Sequence, residues 1–214
     1  MALAVLVAAS SPAAQAQILI GQTSGFSGPV AAGVKETTAG AMLYLDRVNA
    51  KGGVGGQKIE IITMDDKFEP PLAAENAREL IEKKNVVALF LNRGTPHTEA
   101  ILPLLEKHRV PLVAPSTGAM VLHQPVKKYV FNVRATYQRE AEKALVHQAS
   151  IGMTKIAVIY ADDSFGEDGL AGAKKGLQKA KLEAVGIHKF NRTKPDFSTI
   201  VPEVVKSGAQ SVLL

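Results

Sequence analysis

Three short stretches carry groups that could hold a small polar molecule: Ser24-Gly25-Phe26-Ser27-Gly28-Pro29, Asn92-Arg93-Gly94-Thr95-Pro96 and Pro115-Ser116-Thr117-Gly118. Each gathers hydroxyls, small residues and free backbone amides. The middle one opens a segment of helical period, and a helix N-terminus attracts an anion. Capture of a carboxylate is the natural use of such loops. The competing reading makes Thr95 and Ser116 ordinary helix caps. For any single loop that explanation is at least as good, and it is the coincidence of three along one sheet edge that favours a ligand site.

Signals for catalysis or metal binding are weaker. The glycine run at residues 52–56 precedes a strand, whereas a phosphate loop follows a strand and opens a helix, and neither G-x-G-x-x-G nor a G-K-[ST] ending is present. There is no G-x-S-x-G elbow. Cysteine is absent, which removes disulfides, thiolate catalysis and cysteine-based metal sites together. His97, His108, His123, His147 and His188 stand at no metal-like spacing and read as surface or capping residues. In the acidic run at residues 162–168, Phe165 and Gly166 break the alternation of oxygen ligands that a calcium loop needs. Asp65-Asp66 is either a carboxylate pair or a capped loop. No cofactor and no metal are implied.

These loops need a scaffold, and the composition suits one. The 214 residues are 46% apolar and 21% charged, with 18 glycines, 11 prolines and few aromatics, which fits an α/β protein with many short loops. The net charge of +5 comes from interspersed residues, the densest run being Glu82-Lys83-Lys84, so no basic patch points to nucleic acid.

Short β-branched runs alternate with segments of helical period. Strands are expected at residues 18–22, 58–64, 86–91, 111–114 and 129–133. Between them lie helices at 34–49, where Val34, Thr38, Ala41, Leu45 and Val48 share one face, at 71–84 and at 96–108. A second series follows: helix 138–150, strand 155–160, helix 167–181, strand 184–190, helix 197–206 capped by Asp196, and strand 211–214. The nearly continuous apolar strands predict parallel sheets covered on both faces. The fold class is therefore α/β, with two doubly wound lobes at residues 17–137 and 138–214, the second incomplete because the chain stops in a core strand.

Residues 1–16 read as an export signal: an apolar run, a Ser-Ser-Pro breaker, then Ala14-Gln15-Ala16, which fits a signal-peptidase site. The basic residues such a signal carries at its start are missing. The run is far shorter than the ~20 residues that span a bilayer, so a soluble periplasmic protein is expected.

The segments SGFSGPVAAG, NAKGGVGGQKIEIITMDDKFEP, RVPLVAPST, KYVFNVRAT and IAVIYADDSFGEDGL, in that order, resemble the periplasmic leucine/isoleucine/valine-binding family of ABC-transporter solute receptors. The likeness covers residues 18–214 and rests on the combination of segments. It implies two lobes that close on a small ligand, an amino acid or related carboxylate or amide, and an ABC permease as partner. By position it makes Thr95, beside Gly94, the carboxylate-holding residue. It makes Ser116, Thr117 and Gly118 a second ligand loop and Phe165 an aromatic that closes from the second lobe. Phe26 and Arg93 join the candidates from their loops, Arg93 being either solvated or a second carboxylate contact. Two departures put branched-chain amino acids in doubt: Gly33 stands where amino-acid binders often carry a bulky aromatic, and Gly118 where threonine is common. A cytoplasmic ligand sensor on the same fold is the alternative.

Overall fold

The computed structural model describes residues 17–214, so the expected export signal lies outside the described residues. The apolar run beginning at Ile18 forms β1 (Ile18–Ser24), the second strand of a five-stranded parallel sheet. Its partners are β2 (Ile59–Asp65), β3 (Ala88–Phe90), β4 (Leu112–Val113) and β5 (Val130–Phe131), in the order β2-β1-β3-β4-β5. Ile20 stands level with Ile61 on one side and Ala88 on the other. The order reverses between β1 and β3, the switch point at which a doubly wound sheet opens its crevice.

Helices α1 (Ala31–Ala50), α2 (Pro70–Glu82) and α3 (Thr95–His108) make the first crossovers. Ala73, Ala77, Leu80, Ile101 and Leu105 of α2 and α3 close over Leu89 and Leu112 of the sheet, and all of these are buried. Each fully buried leucine or isoleucine contributes roughly 1.5–3 kcal/mol. On α1 the expected stripe faces inward, with Val34 buried and Thr38, Ala41, Leu45 and Val48 half-buried.

The second lobe consists of α4 (Tyr137–Ser150), β6 (Ile156–Ala161), α5 (Ser164–Ala180), β7 (Gly186–Phe190), α6 (Ile200–Lys206) and β8 (Ser211–Leu213). Its parallel sheet has the order β7-β6-β8 and reverses at β6. Leu145, Ile156, Val158, Leu170, Ala173 and Leu177 form its core. Helices α4 and α5 meet backbone to backbone: a Cβ on Gly172 would lie 2.5 Å from the Gln138 Cα, and one on Gly176 would lie 2.9 Å from the Glu142 carbonyl.

Three helix starts lie three residues from expectation, the first being α1, which begins at Ala31 rather than 34. Helix α5 begins at Ser164 rather than 167, because the Asp163 carboxylate accepts the N–H groups of Phe165 and Gly166 and so nucleates the first turn early. Helix α6 begins at Ile200 rather than 197, with Thr199 as N-cap. Asp196 does not cap it: its carboxylate accepts the Ser198 N–H at 2.9 Å and organises the turn before the helix. The lobes touch beside the cleft, where the Ser164 hydroxyl donates to Glu99 and the Met120 N–H donates to Asp168 at 3.3 Å. Among the described residues no helix is long and apolar enough to cross a membrane.

Candidate functional site

The loop leaving β3 is the best organised of the three. Gly94 is the N-cap of α3 at φ 102° and ψ 138°, a conformation that needs glycine. Thr95 is therefore the first helical residue and not the cap. The first turn is locked by Thr98, whose hydroxyl donates to the Gly94 carbonyl at 2.8 Å while accepting from the Asn92 amide at 2.7 Å. Pro96 has no N–H to offer, so the turn presents the main-chain N–H groups of Thr95 and His97, which have no intrahelical acceptor. Thr95 is 1% exposed, and its hydroxyl shares a 2.7 Å hydrogen bond with the Thr117 hydroxyl. Thr117 in turn accepts the Ala119 N–H at 3.4 Å.

A cavity of about 360 Å³ lies against this helix start. The first lobe walls it with Val30, Phe68, Pro70, Ser116 and the Arg93-to-His97 turn, and the second lobe with Asp162, Asp163, Phe165 and the Asn191-to-Thr193 turn. Of the residues named from the sequence, Arg93, Gly94, Thr95, Ser116 and Phe165 line it. Ser116 opens no helix and forms a parallel bridge to Arg93. Thr117 sits one layer behind Thr95. Gly118 is buried against the lobe connection, where its carbonyl accepts the Tyr137 N–H at 2.8 Å and an added Cβ would fall on the Ala135 carbonyl. Phe26 is half-buried outside the lining, which takes Val30 from the same loop instead.

The charges of the cavity are unevenly matched. Asp163 accepts from Arg192 Nε at 2.6 Å, and Asp162 pairs with Lys189 at 3.2 Å. Burial works to raise the Asp163 pKa, yet Arg192 and the two helix-start N–H groups hold it below the ordinary value. Arg93 has no carboxylate partner among the described residues. Its guanidinium rests over Gly33, where a Cβ would come within 2.9 Å of Nη1, so the missing side chain on α1 is what makes room for the cation. Phe165, 37% exposed, stands edge-on to Tyr137 at 5.0 Å and carries Arg192 over its face at 5.0 Å. A second space of about 570 Å³ continues past Phe165 and Arg192 to Tyr137, Tyr160 and Leu213.

His97 corrects its expected role. It is 3% exposed rather than at the surface, its ring stacks on Phe68 at 4.3 Å and 22°, and neither ring nitrogen has a hydrogen-bond partner. Burial pulls its pKa below 6.5, keeping the imidazole neutral. Phe68 is held there at φ 61° beside Lys67 at φ 52°, a strained pair costing roughly 1–3 kcal/mol each. The Asp65-Asp66 motif, left open between a carboxylate pair and a capped loop, supplies the restraint. Asp65 accepts the N–H groups of Ser27 and Lys67, while Asp66 accepts the Phe68 N–H at 2.9 Å and the Thr23 hydroxyl at 3.1 Å. Asp66 is fully buried, and desolvation pushes its pKa up to about 6. Phe68, His97 and Arg192 were not named as site residues from the sequence, although Phe68 stands in a segment that carries the resemblance, because each reaches the cavity only through folding.

The sequence profile described as periplasmic binding protein matches residues 17–214. A Leu/Ile/Val-binding protein homolog 7 from Brucella suis is 28% identical over 223 residues, covering 100% of this chain and 55% of that protein. An amino acid binding protein from Pseudomonas aeruginosa is 27% identical over 204 residues, covering 93% of the chain and 54% of that protein. The crystal structure of a substrate-binding periplasmic protein from Ralstonia solanacearum superposes with a TM-score of 0.84 at 29% identity, over 92% of this chain and 56% of that one. The chain spans about half the length of the curated relatives it matches.

Proposed function

Because this chain belongs to the periplasmic binding protein family, we propose that it captures a small carboxylate-bearing solute for an ABC importer, in the periplasm, and hands it to the permease. The reading is one of capture and release without bond making, and it needs no cofactor. The observation that carries it is the unpaired Arg93 guanidinium beside the α3 N-terminus, in a cavity whose two aspartates are already matched by Arg192 and Lys189. One uncompensated cation, two orphan N–H groups and a helix dipole suit a single carboxylate.

The geometry supports the following roles. With Thr117 as the donor of the hydrogen bond they share, the Thr95 proton is free for the carboxylate. Gly94 lets the ligand approach the backbone, and Ser116 offers a further hydroxyl. Lobes 17–137 and 138–214 act as jaws, and Phe165 covers the ligand from the second. Hydrogen bonds to a charged oxygen contribute roughly 1.5–3 kcal/mol each, against the cost of stripping water from the anion.

The test is native mass spectrometry of the protein expressed from its own gene and isolated from its host under mild conditions. One small organic acid per chain is expected. A co-purified solute without an acid group would sink the carboxylate assignment, and unchanged uptake of the identified acid after gene deletion would sink the importer role.

A further inference from the structure

We propose that His97 is a ligand-recognition residue that hydrogen-bonds an uncharged polar group of the solute, a hydroxyl or a carboxamide, in addition to the carboxylate held at the helix start. This rests on the carboxylate reading and narrows its substrate class.

A buried imidazole with no partner on either nitrogen is costly to leave unmade, since each lost hydrogen bond to a desolvated group carries its full penalty. His97 is 3% exposed and lines the cavity, and the Phe68 main chain beside it does not reach hydrogen-bonding geometry with either ring nitrogen. Its orientation is not loose. The ring is clamped on Phe68, which the buried Asp66 fixes through its N–H, and it packs over Gly94, where an added Cβ would collide with Nδ1. Three devices thus converge on holding an unsatisfied polar ring at the wall of the cleft.

The chemistry of the partner follows from the protonation state. Burial is the largest influence on His97 and the Arg192 charge adds to it, both favouring the neutral ring over the opposing pull of the Phe68 main chain and Asp163. A neutral imidazole has one donor and one acceptor. A hydroxyl or primary amide can meet either nitrogen. A second carboxylate would find only one N–H and no second free cation. An ammonium would need a free acid, and both aspartates of the cavity are already bound to Arg192 and Lys189.

The test measures dissociation constants by calorimetry for matched monocarboxylates: butyrate against γ-hydroxybutyrate and succinamate, and phenylacetate against para-hydroxyphenylacetate, with succinate as the doubly charged control. In the unmutated protein the hydroxyl or carboxamide member of at least one set should bind about ten- to a hundredfold more tightly than its plain counterpart. His97→Phe keeps the stack on Phe68 and should close that gap. His97→Gln restores a donor and an acceptor and should reopen it. Equal affinity within every set in the unmutated protein, or a gap that survives His97→Phe, overturns the assignment to His97 while leaving the carboxylate reading intact. Should His97→Phe not fold, His97→Leu takes its place, and a gap that survives it overturns the assignment equally. Failure of every carboxylate to bind overturns the carboxylate reading and this inference with it.

Discussion

Replacing Asp66 by asparagine should stabilise the protein at neutral pH, although it removes a buried, hydrogen-bonded charge. The Asp66 pKa rises from 3.8 to about 6 because burial penalises the carboxylate more than the Phe68 N–H and the Thr23 hydroxyl reward it. For an acid whose folded pKa is raised, the native state binds the proton more tightly than the unfolded chain does. Stability therefore falls as pH climbs from about 4 to about 6 and stays low above that. The gap between the two pKa values, at about 1.4 kcal/mol per pH unit, amounts to about 3 kcal/mol at pH 7. Asp66→Asn is nearly isosteric. Its carbonyl can still accept from Phe68, and its amide can face Thr23 once that hydroxyl turns to accept. An amide that fits this loop less well than the protonated acid offsets about 1 kcal/mol, which leaves a net gain of about 2 kcal/mol. Urea unfolding of both proteins between pH 4.5 and 8 isolates this group, since every other titration is shared. The variant should be more stable at pH 8, and the difference should vanish near pH 4.5. A variant less stable at pH 8, or a difference that does not change with pH, would refute the assignment of a strained carboxylate to this loop.

Gly33→Ala should displace the Arg93 guanidinium, because the new methyl would lie 2.9 Å from Nη1. Carboxylate affinity measured by calorimetry should drop about tenfold, while helix propensity raises stability by about 0.5–1 kcal/mol; unchanged affinity would show that Arg93 only decorates the rim. Thr95→Ala should weaken carboxylate binding about ten- to a hundredfold and Thr95→Ser by only a few-fold, whereas a lowered melting temperature with unaltered affinity would reduce Thr95 to a structural role. Gly118→Ala should cost at least about 2 kcal/mol in urea unfolding, since a methyl there meets the Ala135 carbonyl of the lobe connection. N-terminal sequencing of periplasmic protein should begin at Gln17, and an intact Met1 on correctly localised protein would reject cleavage after Ala16.

What could be read from the sequence was whatever depends on neighbours along the chain. The strand from Ile18, the Val34-to-Val48 stripe and the strand-to-helix turn at Gly94 are local patterns, and each appears where periodicity puts it. Helix starts were less legible, because Asp163 and Asp196 are equally plausible caps on paper and only the path of the chain decides which one meets helical N–H groups. The site divided along the same line. Thr95, Arg93 and Ser116 belong to loops whose composition announces them. His97 is a lone histidine after a proline, and nothing local says that Phe68, from a different crossover, will cover it. Arg192 becomes part of the cavity only because β7 lies beside β6, and Asp65-Asp66 revealed its role only when the strained backbone at Lys67 and Phe68 came into view.

The flush contact between α4 and α5 bears on how a cleft between the lobes would work. The two helices approach closely at Gly172 and Gly176, with Leu145, Leu170, Ala173 and Leu177 packed around the contact, so their positions are tightly coupled. Helix α4 begins directly after the connection from the first lobe, and α5 begins with the turn that carries Phe165. On the proposed reading, a rotation in residues 132–136 would carry α4 and with it the start of α5 and Phe165. The second lobe would then turn as a stiff lever, and opening would also have to break the Ser164–Glu99 and Met120–Asp168 contacts between the lobes. Arg134 in that segment lies over the Tyr137 ring, which meets Phe165 edge-on, so the connection and the aromatic wall of the cleft are built as one unit.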